Sequence, residues 1–457
     1  MSGISFRAAV PELLYRAAAS VLAPLAALFI RFRSKTSYGE RWRELLGHVP
    51  DRDYGNPVWF HTVSVGESMG ARPLIMEFRK IRPDIPVVVT TTTVTGRAVY
   101  DSVGDRVTHL YAPLDSPRAV RRFLERVQPR LYVTMETELW PVLLSELEKR
   151  RIPAVVMNAR LSDRSRDRYL KTGEIFQEVI GSRLSRLVCQ TPADAANFAK
   201  LGIPEAKMAV SGSVKFDIAP DTAAFGKGRE LRKRLCLTVS EKAPASGEPL
   251  FLAVASTHRG EALQALDIFR KLKSTLPSLV MIIIPRHPER FQEVWDLMET
   301  AGFRHSRRTL LEKEAAASGF VCPELILGDS MNELYLYFGM ADLVLMGGSL
   351  VDIGGHNPLE PASLGCPVVT GPFIRNFRKI YQEMAARGAS RVIPAASLPD
   401  HLKELLGNPG ELQKLGSAGK IFIDANRGAL RKTLEEITRV LDENASKTGS
   451  SRSPAGS

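Results

Sequence analysis

Between Val58 and Thr370, short runs of β-branched and other apolar residues alternate with stretches whose apolar positions recur at helical spacing. Such alternation is the pattern of parallel sheets covered by helices. The runs predict strands at Val58–Thr62, Pro86–Thr91, Val107–Tyr111, Leu131–Met135, Pro153–Met157, Arg186–Gln190 and Met208–Ser211. A second series follows at Leu250–Ala255, Leu279–Ile284, Glu324–Leu327, Asp342–Met346 and Pro367–Thr370. Residues 217–249 between them are rich in Pro, Ala and charge, and read as a linker wrapped around one basic helix, Lys227–Leu235. The expected fold class is α/β, with two doubly wound domains facing one another across a cleft, over residues 38–216 and 250–445. Residues 446–457 are too polar to pack and are expected to be disordered.

The N-terminus breaks this rhythm. An apolar run from Ala17 to Ile30, interrupted only by Ser20 and Pro24, is followed at once by Arg31, Arg33 and Lys35. It is shorter than the roughly 17 to 25 residues of a spanning helix, although Val10–Tyr15 extends it around Glu12 and Arg16. Residues 1–37 are therefore expected to form a membrane-associated segment, the alternative being an amphipathic helix buried on the protein. Should the segment insert, its basic flank places the rest of the chain on the cytoplasmic side.

Composition adds two constraints. The 457 residues exceed what one core usually supports, and 62 basic against 50 acidic side chains give a formal charge of +12, which suits an anionic partner. No basic patch is interleaved with aromatics, so nucleic acid is not expected. Cys189, Cys236, Cys322 and Cys366 lie far apart, without metal-site spacing. The phosphate loop of P-loop enzymes, the GxSxG nucleophile elbow and a GxGxxG after the first strand are all missing. The one DxD match, Asp51 to Asp53, precedes the first strand, on the wrong side for a metal-nucleotide site. A metal-independent group transfer remains.

In open parallel sheets, ligands bind beyond the carboxyl ends of the strands. "HTVSVGES" after the first strand sets Glu67 at a helix start, either as a partner of the helix dipole or as an accessible general base. "METELWP" after the fourth strand carries Glu136 and Glu138, which strand alternation would send to opposite faces, so that only one reaches the cleft. Lys215 of "GSVKFD" closes the first domain, while "IIIPRHPER" brings Arg286, His287 and Arg290 to a strand end and "STHRGE" adds His258. An Arg at a strand end can take a phosphate bidentately. In "GGHNPLEPA", Asn357 as N-cap, Pro358 at the first helical position and Glu360 at the third form a capping-box variant, which also suits a nucleotide.

"HTVSVGE", "METELWP", "NARLSDRS", "GSVKFD", "ASTHRGE", "PRHPERF", "GDSMNEL" and "GGSLVDIGGHNPLEPA" occur in this order from about Tyr38 to past Asn376. Together they resemble the 3-deoxy-D-manno-octulosonic acid (Kdo) transferases of lipid A biosynthesis. The resemblance implies a GT-B fold of two Rossmann-like domains, the first binding acceptor and the second binding CMP-Kdo. It also implies an anchor on the cytoplasmic side of the inner membrane, in contact with its lipids. Kdo would pass from CMP to a glucosamine hydroxyl of a lipid A precursor (lipid IVA), with inversion and with neither metal nor cofactor. By the same resemblance Glu67 is the general base, and Glu136 and Lys215 stabilise the transition state. Pro285, Arg286, Met331, Asn332, Glu333, Asn357, Pro358, Leu359 and Glu360 would contact CMP. Arg160, Arg164, Arg166 and Arg168 would meet acceptor phosphates or the bilayer. Asn332 stands where that family usually has glycine, and Arg259 where an acidic residue is common. The alternatives are a GT-B nucleotide-sugar transferase or epimerase of other specificity, and an inactive membrane-bound binding protein.

Overall fold

The computed structural model describes residues 5–33, 38–101, 103–104, 107–242, 249–317 and 320–450. Two compact units divide the chain, one made of residues 1–217 with 427–457 and the other of residues 218–426.

The first unit is built on a sheet of β1 (Val58–His61), β2 (Val87–Thr91), β3 (Val107–Tyr111), β4 (Leu131–Met135), β5 (Ala154–Ala159), β6 (Arg186–Cys189) and β7 (Met208–Val210), in the order β3-β2-β1-β4-β5-β6-β7. The second carries β8 (Leu250–Thr257), β9 (Leu279–Pro285), β10 (His305–Arg307), β11 (Leu325–Leu327), β12 (Leu343–Met346), β13 (Val368–Thr370) and β14 (Arg391–Val392), in the order β10-β11-β9-β8-β12-β13-β14. All pairings are parallel. Every residue of β1, β2, β4 and β5 is buried, because helices cover both faces. The strand order reverses between β1 and β4 in one sheet and between β8 and β12 in the other. Loops leave in opposite directions at such points and open a crevice.

The predicted strands recur in order, and the edge strands β10 and β14 are additional. Both are too short to show a pattern of their own, and they exist through pairing with β11 and β13.

Three expected boundaries need correction. The supposed linker at 217–249 contains a helix, Thr222–Lys242, that belongs to the second unit. It crosses helix Leu334–Met340 glycine to glycine: a Cβ on Gly228 would lie 2.0 Å from the Leu336 carbonyl oxygen, and one on Gly339 would lie 2.1 Å from that of Phe225. Arg232 adds an ion pair to Asp342 at 2.6 Å. The second domain ends at 426 rather than 445, because helix Ala429–Ser450 returns to the first unit. There Leu434, Ile437 and Leu441 join the core beside Leu74 and Phe78, and Arg186 pairs with Glu436 at 2.6 Å. The Asp217 carboxylate accepts from the Gly428 and Leu430 amides at 2.7 and 2.6 Å, capping the returning helix. Residues 446–450 continue this helix, and the expectation of a disordered tail otherwise falls on 451–457, outside the described residues.

The third correction concerns the N-terminal boundary: the described part of residues 1–37 belongs to the first unit and is not a domain apart. Helix α1 (Phe6–Arg33) packs on the first unit through a stripe of small and charged residues. Ala8, Ala23 and Ala27 are buried, Glu12 pairs with Arg183 at 2.7 Å, and Arg16 pairs with Glu146 at 2.9 Å. Phe6, Leu13, Leu14, Val21, Leu22, Leu25, Phe29 and Phe32 point outward and are exposed. Lys35 of the basic flank lies outside the described residues.

Ile437 is fully buried. Ile437→Ala should destabilise the first unit by about 2–5 kcal/mol, the usual cost of such a cavity, as measured by urea unfolding followed through that unit's tryptophans. An unchanged midpoint would contradict the assignment of this helix to the first core.

Candidate active site

The first unit gathers its polar groups around the reversal between β1 and β4. After β1 the chain turns at Ser64 into helix α2 (Val65–Ile81). The Ser64 hydroxyl accepts from the Glu67 amide at 3.2 Å and donates to Glu67 Oε1 at 2.9 Å, while the Val63 amide donates to Oε2 at 2.9 Å. This reciprocal pairing is a capping box. Glu67 therefore does serve the helix start, yet its carboxylate stays partly exposed. Burial, with the charge of Glu136 as a smaller contribution, holds its pKa above the usual carboxylate range against the pull of these donors.

β4 ends at Met135, and Glu136 takes a left-handed conformation with φ 61°, its amide donating to the Met157 carbonyl. Because the chain turns there, strand alternation does not extend to the residues beyond it. Both Glu136 and Glu138 come within electrostatic reach of Glu67, which corrects the expectation that only one would reach the site. The Glu138 pKa is raised by burial and by the Glu67 charge, opposed by a bond from Trp140. Lys215 supplies the cation, donating to Glu136 Oε1 at 2.9 Å. Its turn is fixed on one side by Asn158, whose Oδ1 accepts from the Val214 amide at 3.2 Å, and on the other by the Asp217 cap. Gly70, one turn beyond Glu67, leaves room for this approach: a Cβ there would lie 2.8 Å from Met135 Cε and 3.8 Å from Lys215 Cγ. Glu67, Glu136 and Lys215 are thus brought together. Arg166 is tied to Asp163, Asp167 and Asn197, whereas Arg160, Arg164 and Arg168 are exposed.

In the second unit Arg286 follows the buried Pro285 at the end of β9 and is exposed. Its charge reaches Glu360, His356 and His258. Arg290, a candidate phosphate ligand, is instead buried, bonding the Thr257 carbonyl at 3.0 Å and Glu293. The His258 and His356 rings stack at 5.0 Å with Nε2 atoms 2.9 Å apart. Burial and then the neighbouring His258 and Arg286 push the His356 pKa down to about 4, so the ring is neutral at pH 7. Helix Leu359–Ser363 begins one residue later than expected, with Pro358 as its N-cap and Glu360 at the second position; Asn357 Oδ1 accepts from the Leu359 amide at 3.1 Å just ahead of it, and Pro358 and Leu359 are buried. Glu360 bonds the Asn357 side chain, and burial keeps its pKa high against the pull of Arg286.

Met331 is exposed, and Asn332 sits at φ 62°, a left-handed position that glycine fills freely and Asn tolerates. Glu333 takes a bond from Ser330 and lies 3.4 Å from Arg308, so it braces its own loop. Tyr335, just beyond, feels the charge of Glu360.

Sequence reasoning missed Glu261. Fully buried, it accepts from the amides of Gly348, Ser349 and Leu350 at 2.7–2.9 Å and from that of His258 at 2.8 Å, which locks the glycine loop after β12 to the start of the helix after β8. The signal was available, since "RGE" after the first strand of the second unit repeats "VGE" after the first strand of the first. Among the described residues no cluster of three or more His, Cys, Asp or Glu side chains is placed to hold a metal ion.

Two Rossmann-like units, one presenting carboxylates and a lysine at its switch point and the other an arginine, imidazoles and a capped helix start, define a glycosyltransferase of the GT-B class. A family model described as 3-deoxy-D-manno-octulosonic-acid transferase (kdotransferase) matches residues 40–218. The chain is 37% identical to the 3-deoxy-D-manno-octulosonic acid transferase of Haemophilus influenzae over 92% of its own length and 96% of the relative's. It is 33% identical to that of Bordetella pertussis, over 83% and 86%. Among solved structures it resembles the C-terminal CMP-Kdo binding domain of WaaA from Acinetobacter baumannii, with 28% identity, TM-score 0.38, and coverage of 43% of this chain and 96% of that one. The chain belongs to the 3-deoxy-D-manno-octulosonic acid transferases.

Ser64→Ala should cost about 1 kcal/mol, the usual value of an N-cap, read from chemical denaturation. A larger loss, of the size of a core cavity, would show that Ser64 carries more than the helix start.

Proposed function

We infer that this enzyme transfers Kdo from CMP-Kdo to a glucosamine hydroxyl of a lipid A precursor, and that the first unit acts on the acceptor while the second holds the donor. The observation that carries this is Glu67, a partly exposed carboxylate of raised pKa at the switch point of the first sheet, beside the Glu136–Lys215 pair.

Glu67 keeps its capping bonds to the Val63 amide and to the Ser64 amide and hydroxyl and still has a lone pair with which to take the acceptor proton. The acceptor oxygen attacks the ketosidic carbon as the bond from that carbon to the CMP phosphate breaks. CMP leaves with the electron pair, the proton passes to Glu67, and the configuration inverts. The carbon acquires oxocarbenium character, which the Glu136 carboxylate stabilises, and Lys215 holds that carboxylate in place. Arg286, exposed at the end of β9, takes the phosphate of CMP, with Asn357 and Glu360 at the adjoining helix start. Lys215 and Arg286 supply fixed positive charge, so the reaction is expected to proceed at the same rate with chelator present.

We place the enzyme on the cytoplasmic side of the inner membrane. Support comes from α1, whose mean hydropathy of 1.8 over a candidate span coexists with only 11% burial. Its charged stripe is bonded to the first unit, so the helix lies in the interface with its apolar face toward the acyl chains instead of crossing.

Mass spectrometry of a lipid A precursor incubated with CMP-Kdo and chelator should show Kdo added by the wild type, with the rate reduced roughly 10²–10⁴-fold in Glu67→Ala. Wild-type product formed at an unchanged rate by Glu67→Ala would remove Glu67 as the base. Activity rises with pH as Glu67 ionises, and Glu136 raises its pKa. Glu136→Gln should therefore move the acid limb of kcat/KM to lower pH as well as slowing turnover. A limb that stays in place would uncouple the two carboxylates.

A further inference from the structure

A cavity of about 180 Å³ lies in the first unit at the carboxyl ends of β1, β2 and β3, against the inner side of α1. Leu45, Trp59, Ala112 and Leu143 form its floor and are buried, and Ile30 of α1 is part of its wall. For scale, an apolar cavity of about 150 Å³ stays dry and takes benzene.

The polar side chains in its lining each already make a bond elsewhere. His61 Nδ1 and Trp59 Nε1 both meet Thr90 Oγ1 at 2.8 Å. Burial pushes the His61 pKa down to about 4, so the ring brings no charge at neutral pH. Asp115 spends its carboxylate on the amides of Val142 and Leu143 and on the Tyr15 hydroxyl, at 2.8–3.1 Å. The Tyr38 hydroxyl donates to the Thr92 carbonyl. A polar ligand would therefore find little to bond, whereas a hydrocarbon would lose nothing by entering.

The position of the cavity is as specific as its chemistry. Thr92, in its wall, donates through Oγ1 to the Val63 carbonyl at 2.9 Å, and the Val63 amide donates to Glu67. Trp140, also in the wall, bonds Glu138 of the carboxylate cluster. On its other side the cavity is bordered by Ile30 of α1, the helix whose outer face is apolar and exposed. A molecule with its hydroxyl at Glu67 and its tails toward that helix would pass this opening.

We propose that the cavity bounded by Ile30, Trp59, Ala112 and Leu143 is a binding site for the end of one acyl chain of the acceptor, seated while the acceptor hydroxyl lies at Glu67. This rests on the reading of the first unit as the acceptor-binding one. One chain anchored there fixes the distance from the lipid tails to the reacting hydroxyl.

The test uses full-length protein with Trp42→Phe and Trp295→Phe, which leaves Trp59 and Trp140 as reporters. Dodecanoic acid brominated at its end should quench their fluorescence saturably, and unlabelled lipid A precursor should compete. Ala112→Phe, which fills the cavity, and Ile30→Phe, which narrows it from the half-buried helix side, should abolish the quench. With CMP-Kdo as donor, Ala112→Phe should raise KM for the acylated acceptor about tenfold, equivalent to some two buried methylenes, and leave KM for CMP-Kdo unchanged. Vesicles of chain-brominated phosphatidylethanolamine should not produce the saturable quench. A quench equal in wild type and both filled variants overturns the proposal. So does a quench by phosphatidylethanolamine that the precursor cannot displace, which would assign the cavity to a membrane lipid. Saturable quenching with competition, but no Kdo transfer by the wild type, would overturn the transferase reading and leave the chain-binding site standing.

Discussion

A parallel strand buried on both faces carries no charged side chain along its length without a partner, so around the central strands charge collects beyond the strand ends, where backbone pairing has stopped. That constraint organises both units. In the first it puts Glu67 after β1 and Glu136 after β4, on either side of the reversal in strand order. In the second it puts His258 after β8, Arg286 after β9 and the glycine loop after β12. In each unit the polar groups gather where the sheet changes direction.

The same position in a fold is put to different uses by small differences in burial. Glu67 and Glu261 each stand at the start of the helix after the first strand of their unit. Glu261 is fully buried and saturated by four backbone amides, which makes it a clamp. Glu67 accepts from the Val63 and Ser64 amides and the Ser64 hydroxyl and remains partly exposed, which leaves its carboxylate short of saturation. Glu360 is intermediate, bonded to Asn357 and held by Arg286. Helix capping and ligand binding are therefore compatible at one carboxylate as long as only part of its hydrogen-bonding capacity is consumed.

Helix α1 shows a comparable division of labour along its circumference. Ala8, Ala23 and Ala27 face the protein with Glu12 and Arg16, while its large apolar side chains face away. In a water-soluble helix the two faces would be exchanged. An arrangement of this kind is stable where the surroundings are themselves apolar.

The features legible in the sequence were local: the apolar runs that became strands, the "VGE" and "NPLE" helix starts, the lysine and arginine at strand ends, and an apolar N-terminal stretch with a basic flank. Each is encoded within a few residues, by propensity, capping and alternation. It took the folded chain to decide that helix Ala429–Ser450 caps onto Asp217 and completes the first core, that Thr222–Lys242 is a packed helix held by Gly228 and Gly339, and that Arg290 is buried bracing while Arg286 is exposed. Folding also decided that both Glu136 and Glu138 feel Glu67, because a left-handed turn at Glu136 ends the alternation that the strand would have imposed. These outcomes depend on residues far apart in the chain meeting in space. Periodicity along one segment holds no information about which distant segment will bury its apolar face or take its hydrogen bonds.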